Sequence, residues 1–162
     1  QLYNQGNEPD IHVPFLFGRL GQPLRTGKVV QELMLDSITH RYGGNDAYKT
    51  PFAGHAFKNA PRGYCPEMDE DDGTMSAWFV FASMGMYPLI VGEPVYELFS
   101  PVFDRIELQM DEAAKVKTVI RTVGRKDMRQ TLRRVTWNGA ALHNFQIKHA
   151  QLARGGELVF WY

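Results

Sequence analysis

A single cysteine, Cys65, is all the thiol this sequence holds. That excludes an internal disulfide and any zinc site built on clustered cysteines. No apolar run is long enough to cross a bilayer, and no signal-peptide pattern is present. Neither sign of charge is in excess, since 18 Lys plus Arg balance 18 Asp plus Glu. Bulk electrostatics therefore selects neither a nucleic acid nor an acidic surface, and no nucleic-acid partner is expected. Also missing are an HExxH pair, a phosphate-cradling glycine loop and a nucleophile elbow. The five histidines, His12, His40, His55, His143 and His149, show no metal-ligand spacing. The chain opens on Gln1 rather than methionine, and processing or excision is expected.

What remains is a chain of 162 residues, 44% hydrophobic and 22% charged. That length suits one domain, or pieces of a larger one, and buries roughly 70% of its unfolded surface without staples. Residues 12 to 20, HVPFLFGRL, predict a short buried helix, broken by Gly21-Gln22-Pro23. Val29, Val30, Leu33, Met34, Ile38 and Tyr42 recur at helical spacing. They predict an amphipathic helix over 26–42, capped by Thr26 and stopped by Gly43-Gly44. Residues 43 to 66 carry no periodicity and read as a long loop. MSAWFVFASMGMYP is apolar all round and predicts a fully buried helix over 75–86, ended by Gly85 and Pro88. After Pro94 the period becomes two. Six strand-like runs follow, with turns at Ser100-Pro101, Asp127, Asn138-Gly139 and Gly155-Gly156. The expectation is an α+β fold: helices first, then antiparallel strands.

Two acidic clusters carry the chemistry. EMDEDDGTMSAW, 67 to 78, crowds Glu67, Asp69, Glu70, Asp71 and Asp72 in front of the apolar helix. An EF-hand loop is excluded, because Gly73 at its sixth position would put Met68 at the first and Phe79 at the twelfth. The bland account is a solvated loop favouring a helix start. Against it, a loop feeding so apolar a helix sits at the rim of a packed interior, where carboxylates are costly and useful. QGNEPDIH, 5 to 12, is the second cluster, with Glu8, Asp10 and His12. By itself it reads as a helix start with a hydrogen-bonded histidine. Together, two oxygen-rich loops suit a hard cation or carboxyls flanking a glycosidic bond. The basic run RKDMRQTLRR, 125 to 134, reads as a solvated strand face.

GNEPDIHVPFLF, DEDDGTMSAWFVFASMGMYP, GEPVYELFSPVFDRIEL and WNGAAL…GGELVF, in that order, resemble glycoside hydrolase family 92. The resemblance implies a calcium-dependent, exo-acting α-mannosidase, of the kind labelled alpha-1,2-mannosidase. It implies that 1–92 is the last part of an (α/α)6 barrel and 93–162 a C-terminal β-strand segment. It places Asp69 and Asp71 at paired aspartates that hold and deprotonate the attacking water of an inverting mechanism, with Asp71 favoured as base. Glu8 falls on the leaving-group side near the calcium, with Asn7 and His12 beside it as substrate contacts. The metal ligands stay open between Glu8 and Asp71.

The resemblance further implies a mannose-containing glycan as substrate, an extracytoplasmic location and a catalytic-acid glutamate upstream of GNEP. That glutamate is not among these residues, so the expectation is a fragment carrying the base side of the site, inert on its own and partnered by the missing N-terminal part. Departures from the family pattern are Met68 before the paired acids, Arg25-Thr26-Gly27 where an amide is usual, and a longer 43–62 loop. Two other readings stand beside this one. One is a non-catalytic carbohydrate-binding or structural module using Trp137, Phe160 and Trp161; the other is an (α/α)-barrel glycosidase or lyase of different sugar specificity.

Overall fold

The computed structural model describes residues 5–6, 8–40, 52–61, 63 and 71–162. Its elements mix helix and sheet. A 3-10 turn at Glu8–Asp10 and another at Val13–Phe15 lead into a single α-turn, α1 (Leu16–Arg19). The helix expected over 12–20 is therefore two short pieces, because Pro14 and Gly18 leave too few good helix formers for a longer one.

Helix α2 runs Pro23–Leu35, three residues ahead of the expected start. Pro23 sits at the first helical position, where its missing N–H is not needed. Thr26 is not the cap; it is buried inside the helix, and its hydroxyl donates to the Pro14 carbonyl at 3.1 Å. The helix also stops early. Asp36 is extended, and Ser37–His40 forms β1, paired antiparallel with β2 (Phe52–His55). The neighbouring β-branched Ile38 and Thr39 favour a strand there, and Ile38 faces Gly54 across the ladder. Its helical spacing from Met34 was coincidental, and part of the expected loop is strand.

Helix α3 (Thr74–Met84) matches the expected buried helix and ends on Gly85 at φ 74°. A Cβ at Gly85 would lie 2.5 Å from the Phe99 carbonyl oxygen, so both the turn and the packing require glycine there. Burial is not uniform: Met75, Trp78 and Ala82 are enclosed, while Val80 is 55% exposed.

Past α3 the chain becomes sheet: β3 (Met86–Tyr87), β4 (Val95–Leu98), β5 (Arg105–Asp111), β6 (Val116–Val123), β7 (Arg134–Trp137), β8 (Ala140–Ala141), β9 (Gln146–Lys148) and β10 (Gly156–Trp161), with a one-turn α4 (His149–Leu152) before the last. The strands form a three-stranded sheet, β3-β4-β9, and a five-stranded one, β5-β6-β10-β7-β8. Asn138 and Gly139, both at positive φ, make the tight hairpin between β7 and β8 that their residue types predict. The antiparallel expectation fails at one place: β10 lies parallel to β6, with Leu158 opposite Ile120. The long excursion through β7, β8, β9 and α4 supplies the crossover that a parallel pair needs.

Two apolar cores result. One gathers Phe15, Leu33, Met75, Trp78 and Phe99; the other gathers Ile120, Val135, Leu158 and Phe160. Between the helices and strands lies a buried carboxylate. Glu97 of β4 meets Arg19 Nε at 2.6 Å and accepts from Gln146 Nε2 at 2.9 Å. Gly18 makes room for it, since a Cβ there would stand 2.8 Å from Glu97 Oε2. Burial raises the Glu97 pKa, and the Gln146 and Arg19 contacts only partly offset it. Among the described residues, no helix is long and apolar enough to cross a membrane.

Candidate active site

The Glu8 segment meets the start of α3. Thr74 Oγ1 donates to Glu8 Oε1 at 3.3 Å, spanning 66 residues of chain. One helical turn on, Trp78 Nε1 donates to the Ile11 carbonyl at 3.0 Å. Residues four apart share a helix face, so Thr74 and Trp78 together pin the Glu8–Ile11 segment along one side of α3. Stacking fixes Trp78 in turn: the Phe57 ring lies 5.4 Å away at 3° between planes, and Phe15 lies 6.0 Å away on a tilt. Phe15 is fully buried, so the site stands on core rings.

The turn before α3 is unusual. Asp71–Gly73 is a 3-10 turn in which Asp72 adopts φ 54°, ψ 34°, followed by Gly73 at φ 93°. Two left-handed residues in succession redirect the chain sharply, and a non-glycine residue in that region carries strain. Gly73 has no side chain with which to cap α3. The free N–H groups of its first turn thus favour negative charge in front of the helix. Asp72 stands in the turn directly before that helix start.

Glu8 is exposed at the first position of its 3-10 turn. His12 is exposed at the cap of the Val13–Phe15 turn and makes no side-chain hydrogen bond to it. The structure brings Glu8, but not the His12 ring, into hydrogen-bonding contact with α3. Asp71 opens the turn; its backbone is described and its side chain is not. Asp69 and Asn7 lie outside the described residues. Sequence reasoning missed Thr74 and the indole N–H of Trp78 as the groups that join the clusters. Their four-residue spacing on a helix directly after the acids was the available signal. Beside them opens a cavity of about 430 Å³, with Phe57, Phe79 and Val80 among its walls.

Among the described residues, no three His, Cys, Asp or Glu side chains gather as a metal site. One carboxylate, Glu8, and one hydroxyl, Thr74, fall well short of the six to eight oxygens calcium takes. The described groups do not make a calcium site by themselves.

The profile of the Glycosyl hydrolase family 92 catalytic domain matches residues 49–162, well over half of the chain. The chain belongs to glycosyl hydrolase family 92. Solved structures agree with that family assignment. A GH92 family glycosyl hydrolase, ccman5, superposes with a TM-score of 0.86 at 27% identity, over 98% of this chain and 22% of its own. A family GH92 inverting mannosidase from Bacteroides thetaiotaomicron VPI-5482 matches with a TM-score of 0.74 at 27% identity, over 96% of this chain and 18% of its own. A family GH92 α-mannosidase from Bacteroides thetaiotaomicron, 22% identical, shares the fold with a TM-score of 0.72 over 98% of this chain and 18% of its own. This family 92 chain thus spans about a fifth of the length of the structures it matches. No curated protein matches it.

Proposed function

We propose that this chain supplies the water-activating side of the active site of an inverting α-mannosidase acting on terminal mannose of glycans. The observation that carries the reading is the Thr74–Glu8 hydrogen bond, which holds two acidic loops, distant in sequence, at one helix start. An inverting glycosidase needs one ionised carboxylate to take a proton from water while that water attacks the anomeric carbon. A second carboxyl group, across the sugar, protonates the leaving oxygen. In this reading Asp71 is the base and Asp69 orients the water. Glu8, Asn7 and His12 contact the sugar and its leaving-group side, and Thr74 positions Glu8. The acid lies elsewhere in the enzyme, in the part of the (α/α)6 barrel that residues 1–92 complete, while 93–162 form the adjoining β segment. A calcium requirement of the intact enzyme belongs to the same proposal, its remaining oxygens drawn from residues other than Glu8 and Thr74; chelation that leaves turnover unchanged refutes it.

The test of the main reading is kinetic. In the intact enzyme, Asp71→Asn keeps the size of the side chain but cannot accept a proton, so kcat falls while KM for an aryl α-mannoside changes little. Asp69→Asn costs less. Near-normal turnover in both variants returns these acids to the solvated loop of the bland account.

A further inference from the structure

Gln31, on α2, is 9% exposed, and its Nε2 is buried without a hydrogen-bond partner. A buried amide donor left unpaired is destabilising, so the group calls for an acceptor. Its side chain lines a cavity of about 210 Å³ between α2 and residues 129–132. Phe99, itself fully buried, gives that cavity an apolar wall, and Ser100 and Thr131 add hydroxyl-bearing side chains. Lys28 and Arg129 are the charged residues lining it; no carboxylate does. Arg129 pairs with Asp36 through one guanidinium nitrogen, which leaves its other N–H groups. Lys28 forms no ion pair among the described residues.

Two other arginines of the basic run have structural duties. Arg125 clips the carbonyls of Pro101 and Val102 and the Asp104 carboxylate, and Arg134 lies over the Trp161 ring at 4.5 Å. Arg129 is the cationic residue of that run that lines the cavity. A buried donor and two cationic residues thus line one small cavity that no carboxylate lines.

We propose that this cavity binds a small organic oxyanion, a carboxylate or phosphate on a ligand no larger than a monosaccharide. Charge-assisted bonds from Lys28 and Arg129 and the free amide of Gln31 would take the anionic oxygens, and Phe99 would pack against the carbon skeleton. A water molecule would satisfy Gln31 but would leave Lys28 without an anionic partner. The inference does not rest on the mannosidase reading and survives its failure.

The probes are inorganic phosphate and glucuronate, titrated into the intact enzyme by calorimetry with glucose as the neutral control. One or both anions should bind saturably and glucose should not; which anion binds tells phosphate from carboxylate. Lys28→Ala, an exposed change, and Gln31→Leu should each weaken that binding about tenfold or more, while turnover of a neutral aryl α-mannoside stays unchanged. Gln31→Glu, nearly the same shape, should abolish it. The proposal is overturned by no saturable anion binding, by equal binding of glucose, or by an affinity that Lys28→Ala leaves intact; the last outcome holds even if the Gln31 variants fold poorly.

Discussion

Val13, Leu16, Leu20, Leu24, Leu35 and Val80 all belong to the helical region, and each is between 39% and 71% exposed. Over residues 95–162, Phe103 is the one large apolar side chain so exposed. The strands close on themselves because a twisted sheet buries its inner face against a second layer, and its outer face carries charge pairs. Arg105–Glu107, Lys117–Glu107 and Arg121–Glu157 lie along that face. A helix instead presents an apolar stripe on each side that has a neighbour. Leu16 on α1, Leu24 and Leu35 on α2 and Val80 on α3 are exposed, which agrees with the proposal that further barrel helices pack there. The candidate active site is on the region with more exposed apolar side chains.

The sharpest break of that comparison is chemical. In the intact enzyme, Asp71→Asn should lower kcat on the order of 10²–10⁴-fold, the range that proton transfer contributes. Asp104→Asn, an acid of the β region bonded to Thr122 and Arg125, should leave turnover unchanged. Equal losses would remove any functional distinction between the regions.

Next in size is Trp78→Ala. It opens a cavity in the helical core and frees the Ile11 carbonyl, for a loss of about 3–5 kcal/mol. Hydrogen exchange should show protection lost through α2, α3 and the Glu8–Phe15 segment while β6 and β10 keep theirs. Equal loss in the strands would mean that the two regions unfold as one unit.

Gly85→Ala strikes the joint between them. Left-handed backbone alone costs roughly 1–2 kcal/mol for a residue with a Cβ, and the new Cβ meets the Phe99 carbonyl. A calorimetric scan should show one transition shifted downward; an unchanged Tm would refute the packing described at that turn.

The smallest effect is in pH, and here exposed and buried carboxylates of the strand region have opposite signs. Asp104 is held below its ordinary value by the Thr122 hydrogen bond and then by Arg125, Glu107 by Arg105, and Glu157 by Arg121. Their contribution is present above the unfolded carboxylate pKa and is lost as pH falls through the lowered folded values. Glu97, raised by burial, behaves oppositely. Its contribution is present below the ordinary glutamate value and is lost as pH rises through the raised folded one. Glu97→Gln, with Arg19 still paired to Glu93 at 2.7 Å, should therefore gain stability relative to the parent as pH rises above the ordinary glutamate value. A stability difference that is constant with pH would contradict this account of Glu97.

Much of this was legible in the residues, and the parts that were not share a cause. Period-two runs located six of the strands, Asn138-Gly139 located a hairpin, and Gly85 located the end of α3. Each of these is a local matter of side-chain alternation or of a φ angle that only certain residues tolerate. The crowding of Asp69, Asp71 and Asp72 before an apolar helix was equally plain, and so was the GNEP turn with Glu8. Local pattern misjudged Ile38, because its spacing suits a helix while the chain after Leu35 finds a strand partner at Gly54. It also missed the parallel seat of β10 beside β6, since strand order depends on which edges remain open once the others have paired. The meeting of Glu8 with Thr74, and of Ile11 with Trp78, is of the same kind: both bonds span more than sixty residues. Short-range preference sets the helices, turns and strands. Which loop faces which is decided by the packing of Trp78, Phe15 and Phe57, whose burial outweighs any preference the loops have of their own.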